Sequence, residues 1–196
     1  MKPSPLTVAL ISLALISTAC TPESGIATKT APALQPVVDS APYICKLVPE
    51  DAFRLLTAAT RPPVEKMSGN KDSGDCFAPD ATPPALEVGW LRVGAGTSQE
   101  HMDLLMDSRR DLYTRHDGVP LPADLGEGMA AHVTNSPLDS QPYRVSAKFQ
   151  CGSKDRMIDI YLPQVAKGRD AIKDMIELMR IAQKRYSKLY NCTLDA

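Results

Sequence analysis

Apolar and polar positions alternate with period two over residues 143–151, where Tyr143, Val145, Ala147, Phe149 and Cys151 interleave with Arg144, Ser146, Lys148 and Gln150. That pattern predicts a half-buried antiparallel strand. The turn-forming run "GSKD" follows, and Ile158, Ile160 and Leu162 then recur on one face, so the two stretches form a hairpin. A further strand is expected over about 129–134. Leu86, Val88 and Trp90, alternating with Glu87 and Gly89, place another at about 85–93.

Helical spacing appears three times. "VPEDAFRLLTAA" reads as a short first helix with Pro49 at its first position, Glu50 and Asp51 complementing the dipole, and Phe53 and Leu56 on the apolar face. Met102, Leu105, Met106, Leu112 and Tyr113 mark a second helix at about 98–115, opened by a Thr97/Glu100 capping-box pattern. Ile172, Met175, Ile176, Met179, Ala182, Tyr186 and Leu189 sustain a third over about 167–190, long enough to cover a sheet. The stretch "RPPVEKMSGNKDSGDC" carries neither period and reads as loop. Helix, strand, helix, strands, helix is the order of an α+β domain, with an antiparallel sheet, helices packed on it and a long C-terminal helix covering it.

Upstream the pattern changes. Lys2 precedes about eleven mostly apolar residues, then Ser17, Thr18 and Ala19 lead to Cys20. This is signal-peptide grammar over residues 1–19, and the run is too short for a hydrocarbon core that needs about 20 residues. Cys20 sits where the bacterial lipobox, which this stretch resembles, carries the cysteine that is lipidated on sulfur with palmitate-class chains and becomes the mature N-terminus. Ser17 stands where that box usually has Leu, and ordinary cleavage of a plain secreted protein is the alternative. Residues 21–42 are rich in Pro, Ser, Thr and Ala and lack aromatics, so residues 20–42 are expected to be a lipidated, disordered tether and residues 43–196 a single extracytoplasmic domain.

Composition narrows the picture further. The formal net charge is −1, which gives no electrostatic reason to expect nucleic acid as a partner. Five cysteines are an odd number for an oxidising compartment, and lipidation of Cys20 leaves four. These pair in three possible ways; sequence neighbourhood favours Cys45 with Cys76 and Cys151 with Cys192. Zinc would want paired ligands at short spacing, and no CxxC occurs.

Candidate chemistry is sparse. "SGNK" matches a penicillin-binding nucleophile pattern without its partner motifs, and "NKDSGD" resembles a calcium loop without the glutamate at position 12. His101, His116 and His132 are scattered. No catalytic residue, cofactor or metal is therefore expected. Arg180, Lys184 and Lys188, with Arg185 beside them, lie along one side of the last helix and could meet anionic headgroups or acidic envelope polymers, against the plainer reading of a solvated face. The Pro- and Gly-rich connection "HDGVPLPADLGEG", residues 116–128, is long for a compact domain and borders the expected sheet.

The lipidated cysteine, the tether, Cys45 in "CKLVPEDAFRLL", Cys76 ahead of the first strand and "LGEG" after the second helix together resemble the actinobacterial lipoproteins classed as domain of unknown function 3558. In that family Trp usually follows two residues after the second cysteine, where this chain has Ala78, and its Gly-Leu-Gly turn is here Asp124-Leu125-Gly126. The resemblance implies an extracytoplasmic α+β fold similar to sensor domains of some mycobacterial receptor kinases, without established catalysis. The expected function is a membrane-anchored, non-catalytic ligand-binding or sensing module of the cell envelope. A small hydrophobic ligand would sit between the sheet and residues 116–128. An envelope enzyme of unrecognised type and a secreted structural or host-facing protein are the alternatives.

Overall fold

The computed structural model describes residues 34–61, 63–78, 86–94, 96–135 and 140–194. Leu34–Ala196 is one compact unit; Met1–Ala33, with the expected signal peptide, Cys20 and most of the tether, lies outside the described residues.

A short hairpin, β1 (Tyr43–Ile44) and β2 (Val48–Pro49), leads into α1 (Glu50–Thr57). Then come β3 (Lys66–Gly69), β4 (Ser73–Ala78), β5 (Leu86–Arg92), α2 (Gln99–Thr114), β6 (Val119–Pro120), a 3-10 turn (Ala123–Leu125), β7 (Glu127–His132), β8 (Tyr143–Cys151), β9 (Lys154–Leu162) and α3 (Ala171–Tyr190). The strands from β3 onward form one seven-stranded sheet in the order β3-β4-β5-β9-β8-β7-β6, every pair antiparallel. The expected α+β architecture is present, with the long last helix on the sheet.

Register explains the layering. Val88 lies opposite Ile160, which lies opposite Val145, so these side chains share one face. The apolar stripes of α1 (Ala52, Phe53, Leu56) and α3 (Met175, Leu178, Met179, Ala182, Tyr186) close on it as the main core. The opposite face carries Glu87, Gly89, Tyr161, Asp159, Arg144 and Ser146 by the same alternation. Here the expectation of a half-buried β8 is corrected. α2 packs on that face through Met102 and Met106 against Met157, and through Tyr113 against Ala131 and Val133, so Ser146 and Arg144 are buried despite their polarity.

Other departures are local. The stretch taken as loop forms the β3–β4 hairpin: β3 is four residues long and exposed throughout, and β4 buries only Cys76 and Ala78. Its "NKDS" turn is held by Asn70 Oδ1, which accepts from the backbone N–H of Asp72 at 2.7 Å and of Ser73 at 3.3 Å. That local bond is the reason the polar run exists. The cap of α2 is Ser98, whose side chain accepts from His101 N at 3.0 Å, and not Thr97; Pro49 precedes α1 and does not begin it. The packed chain also starts earlier than Tyr43. Val37 is buried and the Gln35 carbonyl accepts from Arg169 Nη1 at 3.0 Å, so residues 34–42, assigned to the tether, dock beside α3.

Candidate functional site

Four cysteines pair as sequence neighbourhood favours. Cys45 and Cys76, with Cα atoms 5.5 Å apart, tie the β1–β2 turn to the middle of β4; Cys151 and Cys192, 5.3 Å apart, tie the end of β8 to the end of α3. Glu65 lies near the first pair, whose sulfurs are already bonded to each other. Cys20 lies outside the described residues.

The basic side of α3 is largely engaged within the fold. Arg180 is ion-paired with Asp124 and, at 3.3 Å, with Glu177. Arg185 stacks its guanidinium 3.7 Å from the Tyr43 ring centroid. Lys184 and Lys188 are exposed, and they are what this face offers an anionic surface.

Residues 116–128 are ordered by pairing. Val119 faces Ala130 and Pro120 faces Met129 across β6 and β7, and Leu121 N donates to the Gly128 carbonyl at 3.0 Å. The 3-10 turn is clamped to α3 by the buried Gln183, whose Nε2 donates to the Leu125 carbonyl at 2.9 Å. Gly126 adopts φ +78° and ψ −155°, a region open almost only to glycine. A Cβ there would come 2.3 Å from the Lys148 carbonyl oxygen.

This clamped turn and α2 enclose a pocket of about 300 Å³. Met106, Pro120, Leu121 and Met129 supply apolar walls, Gly126 and Gly128 a flat side, and Arg109, Arg110 and Glu127 the polar border. A chain of ion pairs crosses that border: Arg110 to Asp107 and Glu127, Lys148 to Glu127 at 2.7 Å and to Asp103 at 2.7 Å. The Lys148 hydrogen bond, with a second from Gln99, holds the exposed Asp103 carboxyl below its usual range. The pairs latch α2 to β7 and β8 more through geometry than energy, because exposed pairs contribute little.

Arg109 also reaches a second, polar hollow on the same sheet face. Asp75, Glu87, Gly89, Tyr161, Asp159 and Arg144 line its floor, and Ser108, Arg109, Leu112 and Tyr113 of α2 its wall. Arg109 Nη2 donates to Asp159 Oδ2 at 3.1 Å; the Ser146 hydroxyl donates to the other Asp159 oxygen and bonds the Tyr113 hydroxyl at 2.8 Å. Burial opposes the Arg109 charge, yet Asp159 beside it keeps it firmly protonated. Burial, then the neighbouring Asp75 and Asp159 charges, raise the Glu87 carboxyl, against the pull of Arg144 and Arg109. Burial also raises the Tyr113 and Tyr161 phenols, which stay neutral donors at physiological pH.

The sequence did not single out these side chains. Glu87, Arg144 and Ser146 stand on the polar side of their strands, Tyr113 on the apolar spacing of the second helix and Asp75 in a stretch read as loop, and only the register brings them together. The three histidines stay apart: His132 stacks on Tyr143, His116 Nδ1 accepts from Thr134 N at 3.4 Å, and His101 is exposed. Among the described residues no helix is long and apolar enough to cross a membrane.

No family model, no curated protein and no solved structure matches this chain.

Proposed function

We propose that the chain is an extracytoplasmic lipoprotein of the cell envelope, anchored through Cys20, that binds a small hydrophobic ligand without chemistry and is similar in kind to the domain of unknown function 3558 lipoproteins. The observation carrying this reading is the pocket between α2 and residues 120–129. It has apolar walls, few polar groups at its border, and a glycine-dependent turn that keeps one side flat. Such a hollow suits the apolar part of an amphiphile, with the polar end near Arg109 and Arg110. A domain held at a membrane face meets lipids and their fragments first.

The test uses the mature chain carrying Cys20→Ser, titrated with medium-chain fatty acids and short-chain phospholipids. Saturable binding should raise the melting temperature, by about 1.4 kcal/mol of stability at tenfold excess over Kd. Met129→Trp, which fills the pocket from β7, should abolish the shift while leaving the unliganded fold intact. No saturable binding, or binding indifferent to Met129→Trp, would defeat the assignment.

One arrangement favours a second reading, an enzyme. Glu87 with its raised carboxyl and the neighbouring Asp75 share one hollow, as a general acid and a carboxylate base do. Turnover of an envelope substrate that is lost on Glu87→Gln would establish it and displace the non-catalytic reading.

A further inference from the structure

The polar hollow continues past Arg109 along the half of the sheet that α2 leaves uncovered. Two spaces of about 350 and 390 Å³ share Asp75, Gly89, Arg109 and Asp159, so they form one cleft across β4, β5 and β9. At its centre is Gly89, paired with Asp75 on one side and Asp159 on the other. A strand interior favours a β-branched residue, and glycine there weakens it.

Nothing in the local geometry requires glycine at this position. Its φ lies outside the left-handed region, and an added Cβ would meet only ordinary contacts, 3.7 Å from Asp159 Cβ and 3.7 Å from Asp75 Oδ1. What glycine preserves is an open floor. From the position that Cβ would take, Asp75 Oδ1 lies at 3.7 Å and Asp159 Oδ2 at 3.8 Å, so the two carboxylates flank the open floor.

We infer that this cleft is a second binding site, distinct from the apolar pocket, and that it takes a neutral polyhydroxylated ligand, a sugar ring lying over Gly89 between Asp75 and Asp159. The choice of chemistry follows from charge. Asp75, Glu87 and Asp159 face Arg109 and Arg144, so an anion meets three carboxylates and a cation meets two guanidiniums. An apolar ligand would strip water from all five groups without replacing a hydrogen bond. Hydroxyls both donate and accept. Adjacent hydroxyls on a ring can donate to Asp75 or Glu87 and accept from Arg109, which already stands beside Asp159 as a donor next to an acceptor. Asp75 and Glu87 have no hydrogen-bond or ion-pair partner among the described residues, so their lone pairs are open to such donors.

The experiment records amide NMR spectra of the mature chain bearing Cys20→Ser during titration with neutral monosaccharides, gluco-oligosaccharides and N-acetylglucosamine oligomers. Decanoate and a quaternary ammonium salt serve as controls. Saturable shifts from a sugar at Asp75, Glu87, Gly89 and Tyr161, weakened at least tenfold in both Gly89→Val and Asp75→Asn, would establish the site. Gly89→Val fills the floor with a good strand former, and its amide spectrum away from the cleft should match that of the parent chain; Asp75→Asn keeps the shape and removes a charge. Decanoate binding, which reads the apolar pocket, should survive both changes, and this separates failure here from failure of the pocket. Silence of the whole panel at these amides, sugar binding unaffected by the two variants, or saturation by the ammonium salt in place of a sugar would overturn the inference.

Discussion

Gly126 shows how much of the proposed pocket hangs on one backbone. Its φ of +78° with ψ of −155° turns the chain from the 3-10 turn into β7, and the approach to Lys148 leaves no room for a side chain. Gly126→Ala should therefore lower stability by about 1–3 kcal/mol and weaken ligand binding together, read by chemical denaturation and the lipid titration on the same preparation. Glu87 gives a prediction with a sign. Its folded-state carboxyl is raised, so the folded protein holds that proton more tightly than the unfolded chain. The penalty for charging it is fully present above the folded value and absent below the unfolded value of about 4.3. Glu87→Gln should raise the melting temperature at pH 7, and the gain should fade as the pH falls into the carboxylate range. A gain persisting unchanged at pH 3 would contradict the burial account. Gly126 was legible as a turn glycine but its φ was not, and the burial of Glu87 was not either, since both belong to the tertiary fold. Glu87 and Gly89 appeared in the sequence only as the polar half of an alternating strand.

Elements were legible in proportion to how strongly their faces differ. β8, β9 and α3 bury one continuous apolar face and were placed as elements, β8 to the residue, β9 within two residues and α3 with its start four residues too early, whereas β3, exposed at every position on a sheet edge, had no period to read. The apolar walls of the pocket could be suspected from the Pro- and Gly-rich connection. The polar cleft could not, because its members come from β4, β5, β8, β9 and α2 and share only a register. α3 itself depends on two end restraints. Its N-cap Asp170 accepts from Lys173 N at 3.1 Å, and Asp170→Ala should cost about 1 kcal/mol. At the far end, Cys151–Cys192 closes a separation of 41 residues, so replacing both with Ala should remove roughly 2–4 kcal/mol by freeing the unfolded chain. Differential scanning calorimetry of the two variants should rank the disulfide well above the cap; equal losses would mean that α3 is held by its apolar stripe alone.

At the scale of the whole molecule, the proposed anchor at Cys20 can be tested apart from the compact unit. The compact unit begins at Leu34, with Val37 buried and Gln35 bonded to Arg169, and thirteen residues intervene between Cys20 and Leu34. Even fully extended, fourteen steps of at most about 3.6 Å reach about 50 Å, so an anchor at Cys20 would keep Leu34 within that distance of a bilayer. A single thioether-linked diacylglycerol brings two chains to one residue, which meets the two-signal requirement for stable anchoring. The chain should then partition into detergent-extracted membranes, with a mature N-terminus at Cys20 carrying acyl mass. Cys20→Ser should appear in the culture medium with an unchanged melting temperature, because the core and both disulfides described for the compact unit are made by residues from Val37 onward. Recovery of the unmodified Cys20 chain from the medium without acyl mass would reject the anchor and leave a secreted binding domain. A lowered melting temperature for Cys20→Ser would show instead that the upstream residues contribute to the fold.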